Sequence, residues 1–116
     1  MPGASNLYEH QGLCAALKAH AAQGRRLAAI CAAPAVVLGQ LGLLQGRRAT
    51  CYPGFEQLMA GATYTAELFT TDGNITTGEG PAAAFHFAYE LLALLADRKT
   101  SDQIAEGMRF KHLMGQ

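Results

Sequence analysis

Leu27-Ala28-Ala29-Ile30 is four apolar residues in a row, entered by Arg25-Arg26 and ended by Cys31. The run is too short and too apolar for a half-exposed helix, and it predicts a buried strand of a parallel sheet. Pro34 follows three residues after Cys31 and opens a second apolar run to about Leu41. Proline suits the first helical position, where its missing N–H is no loss, so a helix is predicted there. Cys31 is thereby placed in a tight strand-to-helix turn.

Upstream, Met1 to Ala4 is turn-like. Ser5 or Asn6 caps a predicted helix to about Gln23, with Leu7, Cys14, Leu17 and Ala21 on one face and Leu13 beside them. Lys18, His20 and Gln23 fall on the solvated side, and Gly24 is the C-terminal stop. Downstream, Gly42 and Gly46 break the pattern, and Arg48 to Tyr52 predicts a short strand ended by Pro53-Gly54. Phe55 to Met59 is read as one or two helical turns. The Thr-rich stretch from Thr65 to Thr71, the hairpin signal Asp72-Gly73-Asn74 and the strand Ile75 to Thr77 follow. Gly78-Glu79-Gly80-Pro81 repeats the earlier device: a strand, a turn and a proline that opens a helix.

That helix is marked by Phe85, Ala88, Tyr89, Leu92 and Leu95 at helical spacing to about Ala96, with Asp97-Arg98-Lys99 at its end. Thr100 with Gln103 resembles a capping box for a terminal helix whose inward stripe is Ile104 and Met108. Alternating helices and short strands define an α/β layered fold. Only Leu27–Ile30 looks central, and a parallel strand needs partners on both sides, so the sheet is expected to lack its first strands.

Composition narrows the classes. The 116 residues are 50% hydrophobic and 16% charged with zero net charge, which is core-forming and gives no basic surface for nucleic acid. No apolar run approaches the roughly 20 residues of a membrane span, and the start lacks the pattern of a signal peptide. The three cysteines, Cys14, Cys31 and Cys51, form no CxxC and no metal-type spacing, which fits a reducing cytoplasm and neither a disulfide framework nor a metal site.

The chemistry centres on Cys31. A helix start favours an anion, so a thiol there ionises more readily, and the thiolate is the reactive form. The opposing interpretation is a buried structural cysteine. Cys14 is expected in the core and Cys51 in a structural role. Glu79 is a pocket carboxylate or a solvated loop residue; His86 and Glu90 form an i,i+4 surface pair; Tyr52 is a source of a pocket hydroxyl. Arg47 and Arg48 are a solvated lead-in to a strand and no phosphate site, because no glycine-rich cradle accompanies them.

Three stretches together resemble a known family: AAICAAPAVVLGQLGLLQGRRAT, CYPGFEQLM and DGNITTGEGPAAAFHFAYELLALL. The chain is similar to the DJ/PfpI (ThiJ/PfpI) superfamily, in its DJ-like and ThiJ-like branch, from Met1 to about Met108. The resemblance implies a flavodoxin-like (class I glutamine amidotransferase-like) α/β sandwich, mostly parallel, with helices on both faces. It implies a nucleophilic Cys31, an oxyanion contact from the Ala32 backbone N–H, and a pocket lined by Gly80-Pro81. Tyr52 stands where several members carry a histidine. Ala32 stands where the protease-like branch has one, which argues against a peptidase.

MPGASNL resembles the segment just past the family's Leu-Pro-Gly-Gly turn. Residues 1–116 are accordingly expected to be the C-terminal portion of a single domain. The first strands and the glutamate that hydrogen-bonds the cysteine have no match here. A fragment, a truncated gene product or a misassigned start is expected, and with it a chain that is not a stable active monomer. The implied function is cofactor-free glyoxalase or deglycase chemistry on small reactive carbonyls of the methylglyoxal class, in a cytoplasmic homodimer without nucleic-acid or membrane partners. The alternatives are a non-catalytic oxidative-stress sensor or chaperone of the same fold, or an inactive fragment.

Overall fold

The computed structural model describes residues 2–115. They divide into two compact units that part between Ala84 and Phe85.

In the first unit, α1 (Pro2–Glu9) and α2 (Gln11–Ala22) stand where one helix was expected. His10 causes the break. It is extended (φ −82°, ψ 100°), and its Nδ1 accepts the Leu13 N–H at 2.9 Å, so it caps α2. Ser5 and Asn6 therefore lie inside α1, and the turn expected at Pro2 to Ala4 is helical; Met1 lies outside the described residues. Strand β1 (Leu27–Ile30) forms as predicted. The helix after Pro34 is a π-helix, Pro34–Gly39, with Gln40 N–H donating to Ala35 O at 3.2 Å and Leu43 N–H to Leu38 O at 3.0 Å.

Strands β2 (Arg48–Ala49) and β3 (Thr63–Tyr64) pair in parallel as a separate two-stranded sheet. β4 (Phe69–Asp72) and β5 (Ile75–Gly78) form the predicted hairpin, with Gly73 at φ +63°. The three-stranded sheet runs β1-β5-β4, with β1 parallel to β5 from Leu27↔Ile75 to Ile30↔Gly78.

β1, expected to be fully buried, is only partly so, and among the described residues it has a strand partner on one side. β1 is at the end of the sheet, with Leu27 buried and Ala28 exposed; β5 is central and buried throughout. β5 did not look buried because it is Ile-Thr-Thr-Gly. Its hydroxyls are satisfied internally: Thr76 Oγ1 meets Thr71 Oγ1 at 2.9 Å, and Thr77 Oγ1 accepts the Thr50 N–H at 2.9 Å. The core gathers Leu27, Val37, Leu38, Leu44, Met59 and Ile75 around Ala35, Ala49 and Cys51. Two of the three strand pairings are parallel, so the fold is α/β as expected.

The second unit holds most of α3 (Ala84–Leu95), α4 (Arg98–Gly107) and α5 (Phe110–Met114). The cap of α4 is Asp97, whose carboxylate accepts the Thr100 N–H at 2.6 Å, and not Thr100 as the capping-box pattern suggested. Ile104 and Met108 are exposed, contrary to the expected inward stripe. The aromatic rings of Phe85, Tyr89 and Phe110 cluster instead, and Ser101 Oγ donates to Tyr89 O at 2.7 Å. The His86–Glu90 pair does not form: Glu90 holds Arg98 at 2.6 Å, and the His86 ring meets Phe110 edge-on at 4.9 Å.

Candidate functional site

Cys31 sits where the sequence placed it, between the C-terminal end of β1 and the π-helix. Its φ is +67°, a left-handed conformation that L-residues other than glycine seldom adopt. The backbone holds it there from both sides. The Cys31 N–H donates to Gly78 O at 3.0 Å, and Cys31 O accepts the Tyr52 N–H at 2.7 Å. A strained residue fixed by its surroundings is a mark of functional turns. Ala32 is buried, and its carbonyl accepts from Ala35 N–H at 3.1 Å and Val36 N–H at 2.8 Å, which closes the turn that leads into the helix at Pro34.

The predicted residues face two spaces. Cys31 and Ala32 line an apolar cavity of about 790 Å³ together with Leu7, Leu17, Ile30 and Val37. Tyr52, Glu79, Gly80 and Pro81 gather around a smaller pocket of about 260 Å³. Gly80 is extended (φ −176°), and a Cβ there would lie 3.3 Å from Tyr52 Cδ2, so the aromatic ring packs on its open face. Glu79 is half-buried, and its N–H donates to Leu68 O at 2.9 Å. The two spaces are joined through the backbone bond between Cys31 and Tyr52.

Cys51 is completely buried in the core, matching its structural reading. Burial first, and then the charges of Glu56, Cys31 and Glu79, push its thiol from 9.0 up to about 11. It stays protonated and inert at neutral pH. Cys14 is only half-buried, and its Sγ contacts Tyr8 O at 3.1 Å, so it is a helix-capping thiol and no core residue. Sequence reasoning missed Thr50 and Thr77, which fix the segment leading to Tyr52; threonines in strand-like runs carry no local sign of such distant partners. Among the described residues no cluster of three or more His, Cys, Asp or Glu converges as a metal site would, and no helix is long and apolar enough to cross a membrane.

An α/β protein with a strained cysteine turn at the C-terminal end of a parallel strand belongs to a recognisable class. A family model described as the DJ-1/PfpI family matches residues 1–94. The chain belongs to the DJ-1/PfpI family. It is 37% identical over 106 residues to protein DJ-1 homolog B of Arabidopsis thaliana, covering 90% of this chain and 24% of that one. A solved structure of an oxidized DJ-1 from Toxoplasma gondii matches at TM-score 0.88 and 39% identity, over 93% of this chain and 59% of that one. Its flavodoxin-like architecture is thereby the fold of this chain.

Two relatives carry enzyme names. An isonitrile hydratase of Pseudomonas putida is 33% identical over 104 residues (88% of this chain, 45% of that one). A deglycase of Pyrococcus horikoshii is 32% identical over 75 residues (63% and 45%). The chain spans from about a quarter to about half of the length of these curated relatives.

Proposed function

We propose that Cys31 is the nucleophile of cofactor-free chemistry on small reactive carbonyls of the methylglyoxal class. The observation that carries this reading is the φ of +67° at Cys31, held by hydrogen bonds to Gly78 and Tyr52 at the mouth of a helix. Strain of this kind persists where the surrounding structure over-determines it, commonly at reactive groups. The deglycase name of one relative supports the substrate class.

The thiolate adds to the aldehyde carbon of the substrate. A C–S bond forms, the carbonyl π pair moves to oxygen, and protonation of that oxygen gives a hemithioacetal. In this reading the Ala32 backbone N–H faces the developing oxyanion. A proton then leaves the sulfur-bearing carbon and another is delivered to its neighbour, which yields a thioester that water cleaves to a hydroxy acid and the regenerated thiol. Tyr52, Glu79, Gly80 and Pro81 bound the adjoining pocket, and Glu79 is its carboxylate. We also infer a homodimer in a reducing cytoplasm, supported by the family resemblance and by cysteines that show no disulfide framework in the sequence.

Methylglyoxal consumption by the chain and by Cys31→Ser tests the proposal. Loss of turnover to the uncatalysed rate in the variant is expected, with Cys14→Ser unaffected. Equal rates in wild type and Cys31→Ser overturn it. Selective peroxide oxidation of Cys31 without any turnover would instead assign the redox-sensor role.

A further inference from the structure

The sequence separates Arg25-Arg26 from Arg47-Arg48 by twenty residues; the fold brings both pairs to the β4–β5 turn, at the end of the sheet opposite Cys31. Three guanidiniums address three consecutive carbonyls there. Arg48 Nη2 donates to Thr71 O at 3.2 Å, Arg47 Nη1 to Asp72 O at 2.8 Å, and Arg26 Nη1 reaches Gly73 O at 3.5 Å. Arg25 is tied in through its carbonyl, which accepts from Asn74 Nδ2 at 2.7 Å.

The Arg47 guanidinium lies so close over Gly73 that a Cβ at that position would meet Nη1 at 2.9 Å. The turn thus needs glycine for its positive φ and again for the arginine. Arg26 and Arg47 are half-buried, and Arg47 is held by its 2.8 Å bond, so little of its side-chain freedom remains to be lost on binding.

The charge at this end is unbalanced. Asp72 is the carboxylate of the turn, and its Oδ2 accepts the Arg48 backbone N–H at 2.8 Å. The one ion pair among the described residues joins Arg98 and Glu90, so none of these four arginines has a carboxylate partner. Each guanidinium carries five N–H donors, most of which remain to be used.

We propose that Arg26, Arg47 and Arg48 form a binding site for a phosphoryl group, free or carried on a small molecule. A tetrahedral dianion offers acceptor oxygens in several directions, to guanidiniums that reach the turn from three different residues, whereas one carboxylate serves one fork. The expected solvated lead-in at Arg47-Arg48 becomes a site only because Arg26 arrives across the turn. No glycine-rich cradle is required.

Inorganic phosphate titrated into the isotope-labelled 116-residue chain, at ionic strength held constant with NaCl, tests this by amide chemical shifts. Saturating shifts confined to residues 25–27, 47–48 and 71–74 are expected. Arg47→Gln should weaken binding about tenfold or more, as loss of a charge-assisted contact does. Arg26→Gln, whose 3.5 Å contact contributes little to the fold, should do so with the rest of the spectrum unchanged. Lys18→Gln removes the same charge from exposed α2 and should leave the affinity unaltered. Glycerol phosphate binding more tightly than phosphate would assign a phosphate ester as the ligand, and equal binding would assign free phosphate. Shifts that do not saturate, that NaCl alone reproduces, or that weaken equally in Lys18→Gln overturn the proposal.

Discussion

Two turns in this chain are written alike and built differently. Ile30–Pro34 and Gly78–Pro81 each lead from a strand to a proline-opened helix. In the second turn Gly80 is extended at φ −176°, which any residue adopts, and its hydrogen atom matters only because the Tyr52 ring lies against it. In the first turn the residue at φ +67° is a cysteine, where glycine would be the relaxed choice. Glycine therefore stands where space is short, and a side chain stands where the backbone is strained. Such an exchange costs stability and makes sense only if the side chain is needed.

The largest expected effect comes from giving the first turn its relaxed residue. Cys31→Gly should abolish carbonyl turnover while raising unfolding stability by about 1 kcal/mol, the typical cost of a left-handed non-glycine residue. Denaturant melts and a methylglyoxal assay on one preparation check both; a destabilised Cys31→Gly would mean that the turn is not strained.

Next comes the contrast between the two thiols that meet at this turn. Cys51 is held at about 11 in the fold against 9.0 when unfolded. The folded state keeps the proton that the unfolded state releases, so this contribution is intact below pH 9 and is lost as pH rises from 9 to 11. Thermal melts across that range should show an alkaline decline that flattens in Cys51→Ala. At neutral pH, iodoacetamide should label Cys31 well before Cys51.

The smallest effect belongs to the second turn. Gly80→Ala should destabilise by less than about 1 kcal/mol, because the half-exposed Tyr52 ring is able to yield. In a Tyr52→Ala background the same substitution should become neutral or stabilising, since only the unfolded chain then feels it. Melting temperatures of the four proteins complete the cycle, and a penalty that persists without the ring would refute the space argument.

Much of this was legible locally. Pro34, Pro81, the Asp72-Gly73-Asn74 turn and the apolar run into Cys31 each act through backbone geometry confined to a few residues, so they could be read in order. What escaped depends on partners far along the chain. Thr76 and Thr77 are buried with hydrogen-bond partners, Thr71 and Thr50, that no local pattern announces. His10 breaks the first helix because its ring reaches Leu13, a cap that propensity does not favour. Ile104 lies in α4 and Met108 caps its end at helical spacing from it, but periodicity does not say whether that side is covered. The site divides the same way: the position of Cys31 followed from sequence, whereas its separate cavity, away from the pocket of Glu79, Gly80 and Pro81, followed only from the fold.

The 2.7 Å bond from the Tyr52 N–H to Cys31 O has a practical consequence. Tyr52 is 41% exposed, and its amide proton is held by that bond. Its exchange rate is then a clock for the opening of the cysteine turn. One resonance, followed in deuterated water, reads how often the strained loop lets go.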